Sequence, residues 1–152
     1  MKLAAKPLPR KNETRDLTRP IIAQLNVIDG VRVTRNVDRG LMTPYKLRLN
    51  ADAPRIMTGL GKGGSDIVGC VSVRVISIAG TSMVTIGRLF CLEVKRHAVR
   101  KAHPETRADQ ERWRAAVKRL GGFAGLIEAH STEDGVEQAF ACVARCREGR
   151  SE

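Results

Sequence analysis

Aromatic residues make up only 3% of the 152-residue chain, too few to build stacking platforms for flat ligands or bases, so any recognition must run through backbone and shape contacts. The four cysteines, Cys70, Cys91, Cys142 and Cys146, contain no CxxC pair, which argues against a zinc ribbon and a disulfide framework. Cys142 and Cys146 are spaced for one face of a helix and read as small buried apolar residues. No apolar run is long enough for a bilayer, and Met1 to Asn12 has no hydrophobic signal core, so a soluble protein of the reducing cytoplasm, without a membrane partner, is expected. Acidic residues are also short: 16 Asp and Glu stand against 27 Lys and Arg, a net charge of +11. That excess favours a polyanionic partner such as nucleic acid, with a basic solvated surface as the alternative that charge alone leaves open.

A hydrophobic content of 42% over this length suits one domain with a real core. We place it at residues 13–148, behind a basic, proline-containing arm at residues 1–12.

The stretch from Ser65-Asp66 to Glu93-Val94-Lys95 organises the rest. Asp66 heads the apolar run Ile67 to Ile78, and Glu93 and Lys95 close a second run that starts near Met83. Ala79-Gly80-Thr81-Ser82 between them has turn composition. Antiparallel pairing about that turn sets Asp66 opposite Glu93, Ile67 opposite Leu92 and small Gly69 opposite bulky Phe90; the period of two adds Lys95 to the acidic face. Two carboxylates and the Val94 carbonyl are hard oxygen donors suited to Mg²⁺ or Mn²⁺. Lys95 cannot ligate while protonated, but it can orient water and offset charge on phosphorus.

Around this hairpin the pattern predicts helices and further strands. Leu17, Ile21 and Leu25 recur at helical spacing from Glu13 onward, with Pro20 at a kink or a late start. Val31 to Asn36 reads as a strand that directs Arg35 and Asn36 to the site end. Residues 37–64 read as a long loop. Gly59, Gly61 and Gly64 spell GxGxxG there, yet no strand precedes them and no helix follows, which excludes a dinucleotide site; Gly61-Lys62 lacks the hydroxyl residue of a P-loop. The connection after the hairpin is basic, with Arg96, Arg100 and Lys101, and its His97 and His103 read as solvent-exposed. Thr106 is set to cap a helix from Arg107 to Leu120 with Gln110, Trp113 and Val117 on its inward face. Phe123 to Glu128 follows as a strand added in parallel. Ser131 and Asp134 then cap a last helix whose apolar face is Val136, Phe140, Val143 and Ala144. The order predicts an α/β fold with a mixed central sheet flanked by helices.

Gly64-Ser65-Asp66-Ile67, Glu93-Val94-Lys95, Gln110-Glu111-Arg112-Trp113 and Gly121-Gly122-Phe123-Ala124-Gly125 together resemble the VRR-NUC branch of the PD-(D/E)XK nuclease superfamily. Ser65 stands where that motif usually has proline, a difference in the turn rather than in the chemistry. The resemblance implies a restriction-endonuclease-like fold and a Mg²⁺-dependent endonuclease with Asp66, Glu93, Lys95 and Gln110 at its catalytic site. It also matches Glu13 to an acidic residue facing the metal, with Asp16 in reserve; the alternative is a glutamate placed for the helix dipole. Stand-alone relatives are similar to Holliday-junction resolvases, which implies a homodimer acting on branched DNA such as four-way junctions. Arg35, Lys62, Arg96, Arg100 and Lys101 are the expected backbone contacts. A non-catalytic nucleic-acid-binding protein of the same fold and an RNA-directed nuclease are the alternatives.

Overall fold

The computed structural model describes residues 13–36, 64–76, 80, 82–97 and 104–152. Their order is α1 (Glu13–Leu25), β1 (Val31–Arg35), β2 (Ile67–Ile76), β3 (Met83–Arg96), α2 (Pro104–Arg119), β4 (Phe123–Ala129) and α3 (Thr132–Arg147). The strands form one sheet in the order β1-β2-β3-β4. The first two pairings are antiparallel, and β4 joins β3 in parallel. The molecule is therefore α/β with a four-stranded mixed sheet flanked by helices. No helix among the described residues is long and apolar enough to cross a membrane.

Alternation along the strands divides the chain into three layers. Phe90, Leu92 and Val94 of β3 face one way with Ile67, Val71, Phe123 and Ile127, and meet Leu17, Ile21 and Leu25 of α1 and Ala139, Cys142 and Cys146 of α3 in the main core. Phe90 and Phe123, opposite each other in the parallel pair, stack with centroids 5.2 Å apart. The other face is smaller: Cys91, Val68 and Ala124 pack under Trp113 and Val117 of α2. This second face is the one that carries Asp66, Glu93 and Lys95.

The β2–β3 ladder runs from Ile67↔Leu92 through Gly69↔Phe90 to Ile76↔Met83, the register that the composition of the turn predicts. Of that turn, Gly80 has φ +69°, and Ala79 and Thr81 lie outside the described residues. β1 borders only the first half of β2, and β4 only the last half of β3. Among the described residues the distal half of the hairpin is thus a two-stranded ribbon, and it exposes Ile76, Met83, Val84 and Ile86. At the outer edge of β1, the Asn26 side chain accepts from the Val33 N–H and donates to the Val33 carbonyl, both at 2.9 Å. Arg88 crosses to the far end of the sheet, donating to the Gly121 and Cys146 carbonyls; a cation among the last carbonyls of α3 also suits the helix dipole.

The helices depart from the sequence pattern in three places. Pro20 sits inside α1; the hydrogen bond it lacks is to the carbonyl of exposed Asp16, which water can reach. α2 starts at Pro104, not after a Thr106 cap, because proline's fixed φ suits a first helical position where no N–H is required. The third departure is in α3, where the expected capping by Ser131 is present, its hydroxyl accepting from the Asp134 N–H. The buried face is Gly135, Ala139, Cys142, Val143 and Cys146, while Phe140 is 42% exposed. Small side chains win that face because α3 lies close: a Cβ on Gly135 would come within 3.2 Å of both Ala129 and Ile21.

Gly69 is the tightest point of the sheet, since a Cβ there would stand 2.0 Å from the Arg32 carbonyl oxygen. Gly69→Ala should therefore force β1 off β2 and cost about 3 kcal/mol in urea unfolding, the upper part of the usual overpacking range. A loss under about 0.5 kcal/mol, the size of an ordinary surface substitution, would show that β1 is not held as described.

A candidate metal-binding carboxylate site

One step beyond the last ladder pair, Ile67↔Leu92, Asp66 and Glu93 come side by side. Asp66 is fixed from both neighbouring strands. Its carbonyl accepts from the Asn36 N–H at 2.8 Å, which extends the β1 pairing, and its carboxylate accepts from the Val94 N–H at 2.9 Å. A strand residue turns its N–H and C=O to the same side, so the Val94 carbonyl also points toward the Asp66 end of β2. Glu93 is only 6% exposed. From the opposite layer the Gln110 side-chain amide donates to Glu93 Oε1, which orients the carboxylate.

Burial pushes the Glu93 carboxyl up to about 7, and the negative charge of Asp66 pushes in the same direction, against Lys95 and Arg114. Asp66 is raised too, by burial that outweighs the Val94 N–H and the charges of Arg35 and Lys95. Two carboxyl groups that resist ionising together are an electrostatic demand for a cation. Among the described residues no group of three or more His, Cys, Asp or Glu side chains is arranged to hold a metal. Two carboxylates and the Val94 carbonyl are the hard oxygens gathered at this end of the hairpin, donors of the kind that Mg²⁺ takes together with water. Two further oxygens fit that reading: Ser65 Oγ, beside Asp66, and Gln110 Oε1 are buried without a hydrogen-bond partner, and both can accept from water molecules around an ion.

The residues singled out from the sequence fall into three groups. Asp66, Glu93, Val94, Lys95 and Gln110 are brought together, with Arg35 near enough for its charge to reach Asp66. Arg96 follows on the other face of the sheet, opposite Ala129, away from the carboxylate pair. Lys62, Arg100, Lys101 and His103, the long loop and the arm lie outside the described residues, as does the side chain of Glu13, although Glu13 does open α1. Reserve Asp16 is exposed on α1. His97 is exposed, as expected, and its ring meets that of His130 with centroids 3.9 Å apart.

Two residues near the pair were not anticipated. Glu128 stands opposite Lys95 in the parallel ladder and so shares its face; the signal was the parallel addition of β4, which sets that register once Phe123 is aligned with Phe90. Arg114 is the other, four residues beyond Gln110 on the inward stripe of α2. No protein-family model, curated protein or solved structure matches the chain.

The raised Glu93 pKa makes stability depend on pH. The unfolded chain ionises this group near 4.5 and the folded chain near 7, so between those values the folded state holds the extra proton. The contribution of Glu93 is most favourable below pH 4.5 and is lost as pH rises through 7, by about 3 kcal/mol at most. In EDTA, wild-type protein should lose stability between pH 5 and pH 8 relative to Glu93→Gln, as read by urea unfolding. Parallel pH profiles for the two proteins would assign the dependence to other groups.

Proposed function

We propose that this chain is a metal-dependent endonuclease that hydrolyses DNA phosphodiester bonds, a member of the VRR-NUC branch of the PD-(D/E)XK superfamily with a restriction-endonuclease-like fold. The observation that carries the reading is the meeting of half-buried Asp66 and buried Glu93 at the end of the hairpin, both raised in pKa and held by groups from three elements. The mixed sheet with helices on both faces agrees with that fold, and the net charge of +11 agrees with a polyanionic substrate.

Asp66, Glu93 and the Val94 carbonyl would hold the ion, Mg²⁺ or Mn²⁺, which when bound supplies Lewis acidity at a phosphate oxygen and acidifies water. The protein's own groups do the rest. Gln110 keeps the Glu93 carboxylate turned into the site rather than onto Lys95. Lys95, on the same face two residues later, orients the attacking water and offsets negative charge as the in-line displacement proceeds. The dry face under α2 strengthens each of these interactions relative to water. Gln110 thus acts through Glu93, whereas Lys95 faces the reacting group.

Cleavage of labelled duplex, single-stranded and four-way-junction DNA should require Mg²⁺ or Mn²⁺ and stop in EDTA. Asp66→Asn should abolish it while leaving DNA binding intact, since a ligand charge is removed with little change of shape. Lys95→Ala should lower kcat by about 10²-fold or more with a smaller effect on KM, the pattern of an interaction made in the transition state. Full activity in EDTA or in Asp66→Asn would sink the metal mechanism. Turnover by Lys95→Ala at the wild-type rate would remove that lysine from it.

The reading extends to a homodimer that selects branched DNA. One site per chain cuts one strand, so symmetric cuts across a junction call for two copies about a two-fold axis. The exposed apolar residues of the distal ribbon, Ile76, Met83, Val84 and Ile86, support self-association there. Light scattering at micromolar concentration should give twice the chain mass, and Ile86→Lys should return a monomer. A wild-type monomer that cuts linear and branched DNA equally would leave the nuclease chemistry standing and remove the junction preference.

A further inference from the structure

The inward stripe of α2 carries one cation that the carboxylate chemistry leaves without a task. Two residues set which way the helix faces: Gln110 reaches Glu93, and Val117 is buried against Cys91 and Ala124. Arg114 comes four residues after the first and three before the second, so helical spacing places it between them, above the strands that carry the site. It is half-buried, and its Nε is buried without a hydrogen-bond partner among the described residues. Glu152, a carboxylate that feels its charge, is bridged to Lys118. Glu93 feels the charge of Arg114, but its Oε1 already accepts from Gln110.

A guanidinium has donors only, and one turned inward with its Nε–H unmet is costly unless an anion arrives. We propose that Arg114 grips a non-bridging oxygen of the phosphodiester that enters beside Glu93, so that the substrate phosphate lies between Lys95 from the sheet and Arg114 from α2. The planar fork suits two phosphate oxygens at once, which an ammonium cannot match. This inference rests on the nuclease reading and goes beyond it by assigning a second cation, from a different element, to the same phosphate.

The test separates the two ideas because it reads binding without turnover. Duplex and junction DNA would be titrated in Ca²⁺ instead of Mg²⁺, with a single neutral methylphosphonate walked along one strand. Wild-type affinity should fall about 10- to 100-fold at one position, the size of one charge-assisted contact. Arg114→Gln should bind unmodified DNA weaker by a similar factor, ignore the modification at that position, and show a salt slope smaller by about one phosphate contact. Arg114→Lys should keep the salt slope but recover only part of the affinity, and a wild-type melting temperature for Arg114→Gln guards against a folding defect in that variant. Equal sensitivity of wild type and Arg114→Gln at every position would overturn the contact. So would unchanged binding by Arg114→Gln together with an alkaline shift of its pH–rate profile, which would make Arg114 a counter-charge for Glu93. Should the coupling appear in a wild-type protein that never cuts in Mg²⁺, the contact stands and the nuclease reading falls. A wild-type protein that binds no DNA sinks both.

Discussion

The antiparallel pairing of β2 with β3 is the constraint on which the rest of the molecule depends. A period-two ladder fixes not only which residues are neighbours but which face each one takes, and a slip of one residue would exchange the two faces along the whole strand. With Ile67 against Leu92, the large apolar residues of both strands look toward α1 and α3, and Asp66 and Glu93 look together toward α2. The register is held from several sides. Gly69 has no room for a side chain beneath Arg32, Phe90 stacks on Phe123, and the Asp66 carboxylate closes the end of the ladder on the Val94 N–H. Packing that serves the core thus also sets the geometry of the site.

The site itself works against the fold. Two carboxyl groups near one another in a dry place are held only because surrounding groups limit the penalty: a backbone N–H and Arg35 at Asp66, the Gln110 amide and the charges of Lys95 and Arg114 at Glu93. These supports come from β1, β3 and α2, so no single element builds the site. The residual strain is electrostatic, and it is of the sign that a divalent cation relieves. Groups with shifts of this kind gather at functional sites, which is what makes the pair a candidate.

Much of this was legible in the sequence because strand period and turn composition are local signals. The symmetric distance of Asp66 and Glu93 from Ala79-Gly80-Thr81-Ser82 was enough to set the register, and the Leu17, Ile21, Leu25 stripe was enough to place α1. What was hidden depends on how closely elements approach. Cys142 and Cys146 are buried on α3 as their spacing suggested, but the same face carries Gly135 and Ala139 where hydrophobicity pointed to Phe140; side-chain size matters only once the distance to Ile21 and Ala129 is known. Arg114 was passed over for a similar reason. In composition it is one arginine among many, and only the contacts of Gln110 and Val117 show that its position faces inward.

The Asn26 amide has a consequence for the sheet's outer border. An edge strand normally presents free N–H and C=O groups, a template on which another chain can add. On β1 the outward groups of the first residues are met from within: Val31 donates to the Ile28 carbonyl, and Asn26 takes both groups of Val33. One side chain thereby imitates a fifth strand for the length of a single residue. The border it seals lies beside Arg35 and Asn36, next to the carboxylates, where a stray strand joining the sheet would crowd the approach to the site. Asn26 is in this sense a guard against misassembly, placed where aggregation and obstruction would coincide.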